Sequence, residues 1–204
     1  MESVDHLVYA VPDLDAAVDA LETRWGVRAA PGGQHRGRGT HNALLGLGGA
    51  SYLEIIAPDP AQPETGAARP FDVTPGTEPH LAGWASPAPG IDERRTSAVA
   101  AGWDPGPAGD LSRLRPDGVL LAWRLTPHPD LFVVPFLIDW GTSEHPSVSA
   151  PRGVVLGELR IEHPDPARIE AVLRALQIRV PVEKAAEAAL VARLETPRGP
   201  IELR

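Results

Sequence analysis

His6 in DHLVYAV (5–11) and Glu54 in SYLEIIA (51–57) combine reactive chemistry with an apolar setting. Both runs have strand character, and along a strand side chains alternate between faces. His6 then shares a face with Val8 and Ala10, and Glu54 shares one with Tyr52 and Ile56. A bare carboxylate in mid-strand is costly to bury unless it has a partner. A His and a Glu projecting from neighbouring strands into one concavity supply what a His/carboxylate metal site requires. A His–Glu hydrogen bond, or exposure on the open face of a sheet, would fit the same spacing.

Other residues are candidates for lining a ligand cleft. His41 in GTHNALL shares a strand face with Ala43 and Leu45, pointing either into a cleft or into core packing. Trp84, Trp123 and Trp140 stand out in a chain with ten aromatic residues among Trp, Phe and Tyr. Trp123 is in phase with Val119, Leu121 and Leu125, which core packing explains, whereas Trp84 and Trp140 are placed to line a pocket. Arg115, Arg124 and the Arg36/Arg38 loop offer charge to an anionic substrate. His145 and His163 each precede Pro, where a turn role suffices. Gly46-Leu47-Gly48-Gly49 lies in a hairpin and opens no helix, so it is not a dinucleotide loop. No Gly-x-Ser-x-Gly elbow is present.

Composition narrows the chemistry. The chain has no cysteine, which removes disulfides, thiolate nucleophiles and Cys-ligated metal sites. A metal would have to be held by His, Asp and Glu, which suits Zn, Ni, Mn or Fe(II). The net charge of −8, with basic residues scattered, argues against nucleic acid and against anionic membranes as partners. No apolar run approaches the ~18 residues of a membrane span. Met1 leads straight into a strand-like segment, so no signal peptide is expected and the cytoplasm is the expected compartment.

The elements that must position these residues form a recurring pattern. Asp13 caps a helix whose apolar residues Leu14, Ala17, Val18, Leu21 and Trp25 recur at helical spacing until Gly26. A Gly/Arg-rich loop (31–39) leads to strands at 41–47 and 51–57. After a Pro-rich loop (58–78) come a strand (80–86), a helix (91–103), an RPDG turn (115–118) and strands at 119–126 and 131–140. A third strand (157–163) and helix (164–176) precede a hairpin of 189–195 and 200–204. Pro and Gly, 23 and 20 in number, suit short elements with many turns. Three modules result, over 1–58, 79–146 and 153–204, the last partial. Repetition at roughly 75-residue intervals sets the architecture.

HLVYAVPD (6–13) resembles the first strand and helix cap of vicinal-oxygen-chelate modules, and YLEIIAP (52–58) resembles their closing strand. GTHNALLGLG, LRPDG, LAWRL and PFLIDWG extend the resemblance to bacterial glyoxalase-like domain proteins over residues 3–146, and more loosely beyond. It implies an α+β fold in which repeated βαβββ modules pair into a half-open mixed β-sheet barrel with helices outside. It also implies one divalent metal ion, with His6 and Glu54 as ligands. Their second-module counterparts are His80 and Asp139, with Phe136 or Ile138 as alternative registers for the latter. Glu158 and Glu202 match in the third module, where ordinary surface glutamates are the better reading. His41, Trp84, Arg115, Trp123 and Trp140 are the expected substrate contacts. The implied function is small-molecule chemistry by a metal-dependent lyase/isomerase or dioxygenase, or non-catalytic sequestration of the bleomycin-resistance type. A leftover third module, with an exposed sheet edge or face, would favour a homodimer.

Overall fold

The computed structural model describes residues 3–62, 69–115 and 117–204; Pro116 of the RPDG turn and part of the Pro-rich loop lie outside them. One order of elements occurs three times. The first set is β1 (His6–Ala10), α1 (Leu14–Trp25), β2 (Ala30–His35), β3 (Thr40–Gly46) and β4 (Tyr52–Pro58). The second is β5 (His80–Pro87), α2 (Ile91–Ala100), β6 (Gly109–Leu114), β7 (Leu120–Leu125) and β8 (Phe136–Asp139). The third is β9 (Val155–His163), α3 (Pro166–Ala175), β10 (Val182–Lys184), β11 (Ala189–Thr196) and β12 (Gly199–Leu203). The cap of α1 forms as the sequence indicates. Asp13 accepts the Ala16 N–H at 2.9 Å, and Gly26 ends the helix at φ 82.

In each set the sequence reading lacks the strand that follows the helix. β2, β6 and β10 all lie at the ends of their sheets. β2 carries Pro31, Gly32 and Gly33 and a register shift, which only an edge strand tolerates. Polar β6 and three-residue β10 carry no apolar alternation for the same reason: an edge strand has less to bury.

The strands of the first two sets build one eight-stranded sheet, ordered β2-β3-β4-β1-β5-β8-β7-β6. Antiparallel pairing of β1 with β5 joins two halves of mirrored order, each with a parallel inner pair, β1 with β4 and β5 with β8. The sheet curls until its ends approach, and the Arg113 guanidinium on β6 donates to the Gly32 carbonyl on β2. The result is a nearly closed mixed barrel. Strand alternation then separates two cores. Leu7, Tyr9, Ala43, Leu45, Leu53 and Ile55 pack outward with Leu14, Val18, Leu21 and Trp25 of α1. Val8, Ala10, Ile56, Ala82, Ala85, Phe136 and Ile138 line the inside.

The third set takes a different pairing. β9 lies between β10 and β11, in the four-stranded order β10-β9-β11-β12, and does not enter the barrel. Leu159, Ile161, Leu190, Ala192 and Leu194 bury its apolar face in the outer core of this same chain. Hydrogen bonds from Leu156 N–H to Leu47 and from Leu81 N–H to Arg204 join this sheet to the rest. Of the sheet edge or face expected to be left over, the apolar face is thus covered within the chain, and β10 and β12 form the edges. Glu158 and Glu202 are both exposed, on strands either side of β11. Among the described residues, no helix is long and apolar enough to cross a membrane.

Candidate functional site

The inside of the barrel holds a cavity of about 300 Å³. Its polar wall comes from the first half. His6 on β1 and Glu54 on β4 project inward from adjacent parallel strands, with Val8 opposite Glu54 in the register. His6 Nδ1 lies 2.7 Å from Asp5 Oδ1, so the carboxylate fixes the ring proton on that side. The opposite nitrogen, Nε2, stands 3.7 Å from Glu54 Oε2, too far for a hydrogen bond. Tyr52 stacks on the His6 ring at 4.7 Å.

Asp5 is the hub behind this wall. It is 3% exposed, and its second oxygen accepts from Trp140 Nε1 at 3.1 Å and contacts His145 Nε2 at 3.0 Å. Burial pushes the Asp5 carboxyl up, but hydrogen bonds from His145 and His6 outweigh it and hold it below the usual carboxylate range. Glu54 is governed in the same way. Burial raises it, while His35, His6, the Asn42 hydrogen bond and Arg113 bring it below its ordinary value. Asn42 Nδ2 donates to Glu54 Oε1 at 2.6 Å and also reaches His35 Nε2 at 3.2 Å. Burial lowers His35 despite the nearby Glu54, which leaves its imidazole neutral. Asn42 Oδ1 is buried without a hydrogen bond and lies directly against Gly32, where no side chain would fit.

The facing wall is aromatic. Trp123 and Trp140 lie 5.2 Å apart, and Phe71 stacks on His128 at 4.1 Å. The His128 ring in turn meets Phe136 edge-on at 4.7 Å. Burial drives the His128 imidazole down to about 4. Arg36 and Arg38, both exposed, reach the cavity from the β2–β3 hairpin.

Of the residues singled out in the sequence, the structure brings His6, Glu54, Trp123 and Trp140 together around this cavity. His41 lies on the opposite face of β3, and its neighbour Asn42 faces inward instead. Trp84 is fully buried in the outer core, its Nε1 donating to the Val133 carbonyl at 2.8 Å. Arg115 pairs with Asp117 and Glu144 outside the cavity, where Arg113 takes the inward position. His80 is exposed at the start of β5, with its ring on the Glu78 carbonyl. Asp139 accepts from the Gly90 and Gly141 N–H groups outside the barrel, while Phe136 and Ile138 hold the inward positions of β8.

Asp5, His35, Asn42 and His128 went unnoticed in the sequence. Asp5 and Asn42 each adjoin a residue already singled out, so the strand period carried a signal for them. His145 does serve its turn, through Ser147, but it also reaches Asp5.

The donor set decides how well a resident divalent ion fits. His35 Nε2 and Glu54 Oε1 face the Asn42 amide, which leaves His6 Nε2 and Glu54 Oε2 turned to the cavity. Phe136 and Ile138 add no donor from the second half. Among the described residues, no group of three or more His, Asp or Glu is gathered as a metal site. These residues do not fit the two-half metal set of the resemblance.

Comparison with known proteins agrees with the fold. The chain is similar in structure to a hypothetical protein from Staphylococcus aureus, at 13% identity and a TM-score of 0.68, over 91% of this chain and 87% of that one. It also matches methylmalonyl-CoA epimerase from Mycobacterium tuberculosis, at 19% identity and a TM-score of 0.46, over 68% and 88% of the two chains. The Streptomyces coelicolor methylmalonyl-CoA epimerase matches at 20% identity and a TM-score of 0.47, over 72% and 99%. No curated protein matches the sequence. The family described as glyoxalase-like domain matches residues 4–177. With most of its length so matched, the chain belongs to the glyoxalase-like domain family.

Proposed function

We propose that the protein binds a small oxygen-bearing molecule in the barrel cavity and moves a proton at the carbon next to a carbonyl group, with Glu54 as the base. The observation that carries this reading is the placement of Glu54. It is buried, with one oxygen tied to Asn42 and the other facing the cavity 3.7 Å from His6 Nε2. A desolvated, positioned carboxylate is equipped for general-base work. His6, oriented by Asp5, stands beside it to share the proton. The Arg113 cation faces Glu54 and Tyr52 and supplies positive charge for an enolate oxygen. Proton movement of this kind is the step common to isomerases and lyases.

A second reading is sequestration without chemistry, favoured by the aromatic wall of Trp123, Trp140, Phe71 and Phe136, which suits a planar or apolar ligand. One experiment separates the two. The methylene protons of α-ketobutyrate, next to its ketone, are followed by NMR for exchange in heavy water. The parent protein is expected to accelerate exchange, and Glu54→Gln to lose about 10²–10⁴-fold of that rate. Binding without accelerated exchange would leave sequestration. Repeating the exchange with a chelator, and with added Zn, Ni, Mn or Fe(II), measures what a divalent ion contributes.

A further inference from the structure

Next to the cavity lies a second, larger depression of about 950 Å³. The two spaces share Arg38, Pro70, Phe71, His128 and Phe136. What stands between them is the Phe71–His128 stack, with ring centres 4.1 Å apart and planes inclined by 24°. Phe71 is held at φ 56 and ψ 21, and Asp72 follows at φ 50. Two consecutive side-chain-bearing residues in the left-handed region are uncommon and mark a backbone held by its surroundings. Gly83 makes room for the ring, since a Cβ there would come within 3.0 Å of Phe71 Cε1. The partition is thus one aromatic side chain on a strained backbone, set against an imidazole.

The outer space sets Phe132, Val134 and Phe136 among polar side chains that include Asp72, His80 and Asp130. Val134 and Phe136 are buried beneath it, and Phe132 is 37% exposed, one of the few large apolar side chains so exposed among the described residues. Arg38 stands at both spaces, so one cation serves both. Both spaces fall within the size range of ordinary ligand pockets, and the outer one is about three times the larger.

We propose that the two spaces form one site for a tailed ligand, with an oxygen-bearing head beside Glu54 and His6 and an alkyl or acyl tail passing the Phe71–His128 stack into the outer pocket. This inference rests on the reading of the inner cavity as the site for the head. The tail lies along Phe132, Val134 and Phe136, and Arg38 meets a carboxylate on the head.

Calorimetric titration of the parent protein with straight-chain α-keto acids, from α-ketobutyrate to α-ketodecanoate, tests this directly. Affinity is expected to rise by about fourfold for each methylene group buried, through to the longest acid. Phe132→Glu, a change at the protein surface, is expected to abolish the gain for the longest acids. Affinity that levels off or falls once the tail outgrows the inner cavity would overturn the two-chamber site and leave the head-group reading standing. So would a gain with chain length that Phe132→Glu leaves intact, since that gain would come from adsorption elsewhere. Binding of none of the acids, the shortest included, would overturn the head-group reading and this inference with it.

Discussion

On the inner face of β1 and β4 stand His6, Tyr52 and Glu54; on the inner face of β5 and β8 stand Ala82, Ala85, Phe136 and Ile138. The two halves follow the same order of strands and meet across β1 and β5. The inner strands of one half carry hydrogen-bonded charge and those of the other carry surface for contact, and the cation that the second half contributes, Arg113, comes from its end strand β6. Support crosses between them, because Trp140 and His145, which follow β8, hold the carboxylate that orients His6. A metal held by both halves needs ligands from both inner walls, whereas the pair proposed to move the proton, Glu54 and His6, stands on the first half alone. The contrast therefore bears on mechanism as well as packing.

The largest expected effect comes from breaking the polar half at its hub. Asp5→Ala removes a buried carboxylate from His6, Trp140 and His145 at once. Losing one member of a buried charged network costs about 3–5 kcal/mol, read as a lower denaturation midpoint in urea. Asp5→Asn, which keeps the shape, is expected to cost less.

A smaller effect tests the other half by giving it a donor. Phe136 lies 5.4 Å from the His6 ring, centre to centre. Phe136→His is expected to tighten zinc binding about tenfold over the parent, measured by competition with a chromophoric chelator. Equal affinity in the two proteins would show that the missing donor is not what separates the halves.

A further effect concerns pH. Burial holds His128 at about 4 in the folded protein, below the ~6.5 of an unfolded chain. Between those values the unfolded chain binds the extra proton, so stability falls as pH drops from ~6.5 toward ~4 and His128 adds nothing further below that. His128→Phe is expected to flatten the slope, with His35, also lowered by burial, supplying the remainder in the same direction. Urea unfolding across this range is the measurement, and an unchanged slope in the variant would exclude His128 as its source.

Much of this arrangement was legible in the residues. The strand period put His6 and Glu54 on faces that line one cavity, and all three expected helices form, the second over Ile91–Ala100 rather than 91–103. The sheet ends were not legible, because β2, β6 and β10 have little to bury and so carry weak patterns. In the second half, sequence correspondence picked out His80, yet β5 pairs antiparallel to β1, and His80 lies opposite Ala10, at the far end of β1 from His6. His35 escaped because it ends a strand rich in Gly and Pro. Asp5 and His145 are far apart in the chain, and only the closed barrel brings them together.

The division of labour itself is best tested by steady-state exchange of the α-ketobutyrate methylene protons in the parent, Glu54→Gln and Trp123→Ala. Loss of a group acting in the transition state lowers kcat, while loss of uniform contact raises KM. Glu54→Gln is expected to lower kcat with little change in KM, and Trp123→Ala to raise KM with kcat nearly kept. Equal loss of kcat in both variants, or full exchange activity in Glu54→Gln, would contradict the assignment of proton transfer to Glu54 and of binding to the aromatic wall.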